Sequence, residues 1–174
     1  VLFRSIKDKL FMERGDRNMT NFDYLKNEPK FSSFADAAII AEKSYQIDAS
    51  TCTLNCRRAM EMAIKWMYSI DNDLKMPYQS TLYSLMRSED FQDIIDENLY
   101  KRLDFIRING NMAAHDNKKL SNDVAKLCLE NLFYFMDFIS CCYSDVYVEK
   151  NYDQSLLNVK TKESISENEI IEIE

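Results

Sequence analysis

The chain has 174 residues, 46% of them hydrophobic and 29% charged, which suits one globular domain with a single core rather than a disordered segment. Two glycines, Gly15 and Gly110, and two prolines are too few for a hairpin-rich sandwich or barrel, and the sequence has no glycine-rich dinucleotide or phosphate loop, so no cofactor is expected. A formal charge of −7 argues against a broad electrostatic hold on nucleic acid, while five cysteines without framework spacing read as reduced thiols of a cytoplasmic protein with no membrane association.

Residues 1–18 carry five basic and three acidic side chains without a long apolar face. Met19 reads as a natural start, so residues 1–18 are expected to be an upstream or cloning-derived segment. The domain proper is expected over residues 19–153, and residues 154–174 as a charged tail or linker, since from Leu157 onward five glutamates accompany Lys160 and Lys162.

Within the domain, Ser32 or Ser33 is placed to cap a first helix through Phe34, Ala37, Ala38, Ala41 and Tyr45, ending near Gln46. Asp48 or Ser50 caps the next, where Cys52, Cys56, Ala59, Ala63, Trp66, Met67 and Ile70 keep the helical period over about 20 residues. After the break at Met76-Pro77, Ser80 opens a short helix with Leu82, Leu85 and Met86, and Ser88 another with Phe91, Ile94 and Ile95. Asp96 opens a fifth, with Leu99, Leu103 and Ile106 inward, which is expected to end or bend at Asn109-Gly110-Asn111, where left-handed dihedrals are tolerated. Ser121 caps the last, with Val124, Leu127, Cys128, Phe135, Phe138, Ile139 and Cys142 inward and Asn131 as the one polar interruption. Two long helices with shorter ones between them predict an all-α, antiparallel helical bundle.

Cys52 and Cys56 lie one turn apart, yet a closed zinc site needs four ligands and the sole histidine, His115, is distant in sequence, so no metal site is expected. These cysteines and Cys128 fall on apolar stripes, where a thiol acts as a small hydrophobe. On the second helix Arg57, Glu61 and Lys65 repeat every fourth residue, a ladder of surface ion pairs worth about 0.3–0.5 kcal/mol each. Arg58 beside them and Trp66 offer a partner patch as the minority reading, with a core tryptophan preferred.

The stretch from Arg107 to His115 gathers a cation, two asparagines, Gly110 and the only histidine. Its structural reading has Asn111 and His115 bonding free carbonyls at a helix end, with His115 buried. Its functional reading has Arg107 hold a phosphate while His115 serves as acid or base on a ribose hydroxyl. Chemistry alone favours the structural reading, so neither residue has a firm catalytic assignment.

The start Met19-Thr-Asn-Phe22, the run Phe31-Ser-Ser-Phe-Ala-Asp-Ala-Ala38, the helix Cys56-Arg-Arg-Ala-Met-Glu61 with Lys65-Trp66, and Gly110-Asn-x-Ala-Ala-His115 together resemble a known module. It is the small N-terminal helical domain of bacterial type I restriction enzyme R (HsdR) subunits, and the resemblance runs from about Met19 to Asp153, including Cys142-Tyr-Ser-Asp145. The resemblance implies a HEPN-like bundle, with Arg57, Arg58, Glu61, Gly110, Asn111 and His115 as binding or motif positions. It implies a non-catalytic accessory role, docking an R subunit on its methyltransferase and specificity partners, with DNA engaged through the full-length subunit and a homodimer among the arrangements. The parent subunit would be an ATP-dependent deoxyribonuclease. Two alternatives accompany this reading, a HEPN-type ribonuclease using Arg107 and His115 and a DNA-contacting module. Seven residues separate Arg107 from His115, and Ile108 follows the arginine; both depart from the ribonuclease pattern.

Overall fold

The computed structural model describes residues 19–115 and 119–158. They form α1 (Ser32–Lys43), α2 (Ala49–Ile70), α3 (Leu82–Arg87), α4 (Glu89–Ile94), α5 (Glu97–His115) and α6 (Asn122–Tyr143). Short 3-10 turns span Asp23–Asn27, Pro29–Phe31, Ser44–Gln46 and Gln154–Asn158. No strand occurs among the described residues, and the fold is an all-α helical bundle, as the scarcity of turn residues predicts.

Local side-chain chemistry sets most helix starts. The Asp48 carboxylate accepts from Thr51 N at 2.8 Å, Ser121 Oγ from Val124 N at 3.3 Å, and Asp96 Oδ1 from Leu99 N at 2.8 Å, each satisfying an amide that the first turn leaves without a partner. The hydrogen bonds from Thr51 hold the Asp48 carboxyl below its ordinary range. The cap of α3 is Thr81, not Ser80, its hydroxyl accepting from Ser84 N at 3.2 Å.

Helix α2 is the spine, packed against α1, α5 and α6, while α5 also packs on α6. It runs antiparallel to α5: Leu120 N, just past the end of α5, donates to Ser50 Oγ near the start of α2 at 3.1 Å, and Arg57 lies against Gly110 further along. The core fills from every side with Phe34, Cys56, Met60, Ile64, Leu85, Phe91, Leu103 and Phe135, all fully buried.

Among the described residues three long helices are present where two were expected. Helix α5 runs through Asn109-Gly110-Asn111 without ending, and Gly110 does not adopt a positive φ. Asn109 is part of the helix, and its Nδ2 donates to Phe105 O at 2.8 Å, one turn back. The stripe of α6 is also turned from the expected one: Ala125, Cys128, Leu129, Leu132, Phe135, Met136 and Ile139 are buried, whereas Leu127 and Cys142 are exposed. The helical period holds, but its centre depends on which neighbours cover α6, and that is a tertiary fact.

The two ends of the domain are clasped by a buried carboxylate. Glu42 on α1 accepts from Asn21 N at 2.8 Å and from Asn21 Nδ2 at 2.6 Å. Asn21 in turn donates to Asp153 O at 3.0 Å and accepts from Asp153 N at 2.7 Å. Burial pushes the Glu42 carboxyl above its ordinary value, with the Asn21 hydrogen bonds opposing. Packing continues to Leu157, which is buried and whose carbonyl accepts from Gln46 Nε2. The expectations for residues 1–18 and for the tail beyond Asn158 lie outside the described residues.

Candidate functional site

The motif residues of α2 and α5 meet at the seam between these helices. A Cβ placed on Gly110 would stand 2.6 and 2.9 Å from Cδ and Cγ of Arg57, and closer still to its Cβ. Only a residue without a side chain allows α5 to approach α2 so closely, so Gly110 serves packing rather than a turn. The Arg57 side chain lies across it, with Nε buried and without a partner among the described residues and Nη1 3.6 Å from Glu61 Oε2. Lys65 Nζ completes the row 3.0 Å from Glu61 Oε1. The expected ladder therefore exists, and the structure brings Arg57, Glu61 and Gly110 together. Arg58 stands apart on the exposed face of α2, in helical register with the exposed Leu54 and Met62.

On α5, Arg107 is engaged rather than open. Its Nε and Nη2 lie 2.9 and 2.8 Å from Asp104 Oδ1, and its guanidinium sits 5.2 Å from the ring centre of Tyr83 on α3. Arg87 lies 5.7 Å from the same ring, so two cations flank one exposed aromatic. Tyr83 escaped the sequence reading because nothing in the order of residues places α3 beside α5.

His115 is exposed at the last position of α5, and Asn111 is half-buried. Among the described residues neither side chain bonds a free carbonyl, and α5 continues past Asn111 instead of ending there. His115 lies three positions after Met112, which itself follows Ile108 by four, so it is in line with these exposed residues, while Arg107 stands two turns back and roughly 80° round the helix. His115→Ala is expected to change stability by less than about 0.5 kcal/mol in urea denaturation, as for other exposed substitutions. A loss above about 1 kcal/mol would show that the ring carries contacts in the fold.

The remaining motif residues build packing. Trp66 makes edge-on contacts with Phe31, Phe34 and Tyr143 at ring separations of 5.4, 5.3 and 5.5 Å, joining α1, α2 and the end of α6. The Tyr143 hydroxyl donates to Asp71 Oδ2 at 2.5 Å, tying the last turn of α6 to the end of α2. Cys52, Cys56 and Cys128 are buried together, and burial pushes the Cys128 thiol up to about 12 and the Cys56 thiol well above its ordinary value, which keeps both protonated and inert. Among the described residues, no three His, Cys, Asp or Glu side chains gather as a metal-holding group, and no helix is long and apolar enough to cross a membrane.

A second polar cluster, between α5 and α6, was legible only as Asn131 interrupting an apolar stripe. Asn131 is buried, and its Oδ1 accepts from Arg102 Nη1 at 2.8 Å. The Arg102 guanidinium lies 4.1 Å from the ring centre of Tyr134, one helical turn beyond Asn131.

Fold and seam together define an all-helical domain whose signature residues hold helices against one another. Residues 40–167, more than half of the chain, match the family described as a domain of unknown function (DUF4145), and the chain belongs to that family. No curated protein and no solved structure matches the chain.

Proposed function

We propose that the domain is a non-catalytic accessory module, an interaction or regulatory unit of a type I restriction enzyme R subunit acting in DNA restriction and phage defence. The observation that carries this reading is the disposition of Arg107 and His115. Eight positions apart on one continuous helix, they are separated by about 12 Å along its axis. Arg107 is turned to Asp104 and Tyr83, while His115 stands two turns further along, in line with the exposed Ile108 and Met112. A ribonuclease needs the cation on the phosphate and the imidazole on the adjoining ribose hydroxyl, converging on one group of reacting atoms.

The runs that resemble the R-subunit domain support the same reading, since their residues make the packing contacts of the fold. Phe22, Phe31, Phe34, Cys56 and Ala59 are buried, Trp66 joins three aromatic rings, and Gly110 receives Arg57. Such a signature preserves a shape. The exposed pair Ile108 and Met112, beside His115 on α5, supplies apolar surface for a partner.

The test is association of the full chain with the methyltransferase and specificity subunits of a restriction complex from the same genome, read by co-elution in size-exclusion chromatography. Co-elution is expected, and the double substitution Ile108→Glu and Met112→Glu should abolish it while leaving the thermal melt in place. Failure of the native chain to associate, or association undisturbed by the two glutamates, would count against the module and its surface.

A further inference from the structure

A groove lies between the first half of α5 and the second half of α6, away from the contact of Arg107 with Tyr83. Its volume is about 320 Å³, within the range of small-molecule sites. Leu99, Phe138 and Tyr134 supply its apolar wall, and Arg102, Asp96 and Asp137 its charged groups. Here we infer that the groove binds a small zwitterion, a free α-amino acid with an apolar side chain.

The argument begins with Arg102. Its guanidinium is held at Nη1 by the buried Asn131 and across its plane by Tyr134, but among the described residues it enters no ion pair. A buried asparagine in an apolar helix face is costly unless its hydrogen bonds are used, and here its carbonyl orients one cation. Held in this way, the guanidinium keeps further N–H groups to donate, in the planar fork that fits a carboxylate. Arg102 is thus fixed before any ligand arrives.

The other charges select among anions. The two oxygens of Asp137 accept from the Tyr147 hydroxyl at 2.9 and 3.1 Å, which fixes this carboxylate on the groove wall. Asp96 lines the same groove, with Oδ1 committed to the amide of Leu99. A dicarboxylate would be repelled by Asp96 and Asp137, a simple cation by Arg102, and an uncharged apolar molecule would strip water from all three without return. A zwitterion answers each demand, its carboxylate on Arg102, its ammonium toward the aspartates and its side chain on Leu99 and Phe138. An internal peptide residue carries neither charge, and a chain terminus carries only one.

The experiment is isothermal titration of the full chain with L-phenylalanine and L-leucine at millimolar concentration. It is repeated with phenylalaninamide, which lacks the carboxylate, and with N-acetyl-L-phenylalanine, which lacks the ammonium. Saturable binding of a free amino acid is expected, weakened about tenfold or more in each derivative and in the Arg102→Gln chain, the effect of losing one charge-assisted hydrogen bond. Asp137→Asn gives a second reading on the ammonium side, and circular dichroism confirms that both variants are folded. Absence of saturable binding by either amino acid would overturn the inference, as would affinity unchanged in Arg102→Gln. Undiminished binding of the amide or of the N-acetyl derivative would also overturn it, pointing to a peptide N-terminus or C-terminus respectively.

Discussion

Gly110→Ala is expected to destabilise the domain by about 1–3 kcal/mol, the usual cost of forcing atoms into a filled contact. The sign is informative because alanine is the better helix former by about 1 kcal/mol, and in an open helix the same change would stabilise. Here the new methyl would meet Arg57, and the nearest obstacle is Arg57 Cβ, which is fixed to the α2 backbone and cannot swing aside. Arg57→Ala therefore should not rescue Gly110→Ala, since the alanine retains the obstructing atom, whereas leucine at position 110 should cost more than alanine. Equilibrium urea denaturation with an unchanged m-value measures the loss directly. A stabilised Gly110→Ala chain would mean that the seam between α2 and α5 has room.

Glu42→Ala is expected to lower stability by about 3 kcal/mol, because the backbone and side-chain amides of Asn21 would lose a charged acceptor inside the fold. The loss reaches both ends of the domain, since Asn21 also bonds Asp153 in both directions. Burial raises the Glu42 carboxyl in the folded state, so folding favours its protonated form. The folded chain then binds more protons than the unfolded one, and Glu42 makes stability fall as pH rises from the ordinary glutamate range through the raised value. Glu42→Gln removes this titration, and the difference between the two urea profiles across that window isolates it. A wild-type profile that rose relative to Glu42→Gln with pH in the window would show that the carboxylate is better stabilised inside the fold than in water.

Much of the fold was legible in the residue order because the signals are local. Asp48, Asp96 and Ser121 cap the helices they were expected to cap, and the cysteine and alanine stripe of α2 faces inward. Gly110 was misread because a glycine between two asparagines is also the pattern of a helix end. Its actual role depends on Arg57, more than fifty residues earlier, and a partner at that distance leaves no local trace. The expectation of a buried His115 fell with the turn that was to bury it. Glu42 was overlooked for a similar reason: on a helical wheel it is one more surface glutamate, and only Asn21 and Asp153 closing over it make it a buried clasp. At the candidate site, the ladder of Arg57, Glu61 and Lys65 could be read from its spacing, whereas the engagement of Arg107 by Tyr83 requires α3 to fold back onto α5.

The decisive comparison is cleavage of a mixed cellular RNA pool by the purified wild-type chain and by His115→Ala side by side, with circular dichroism confirming that both are folded. With Arg107 held by Asp104 and His115 two turns further along the helix, neither chain should cleave. Cleavage by the wild type that disappears in a folded His115→Ala chain would contradict the structural reading of this motif and establish a ribonuclease instead.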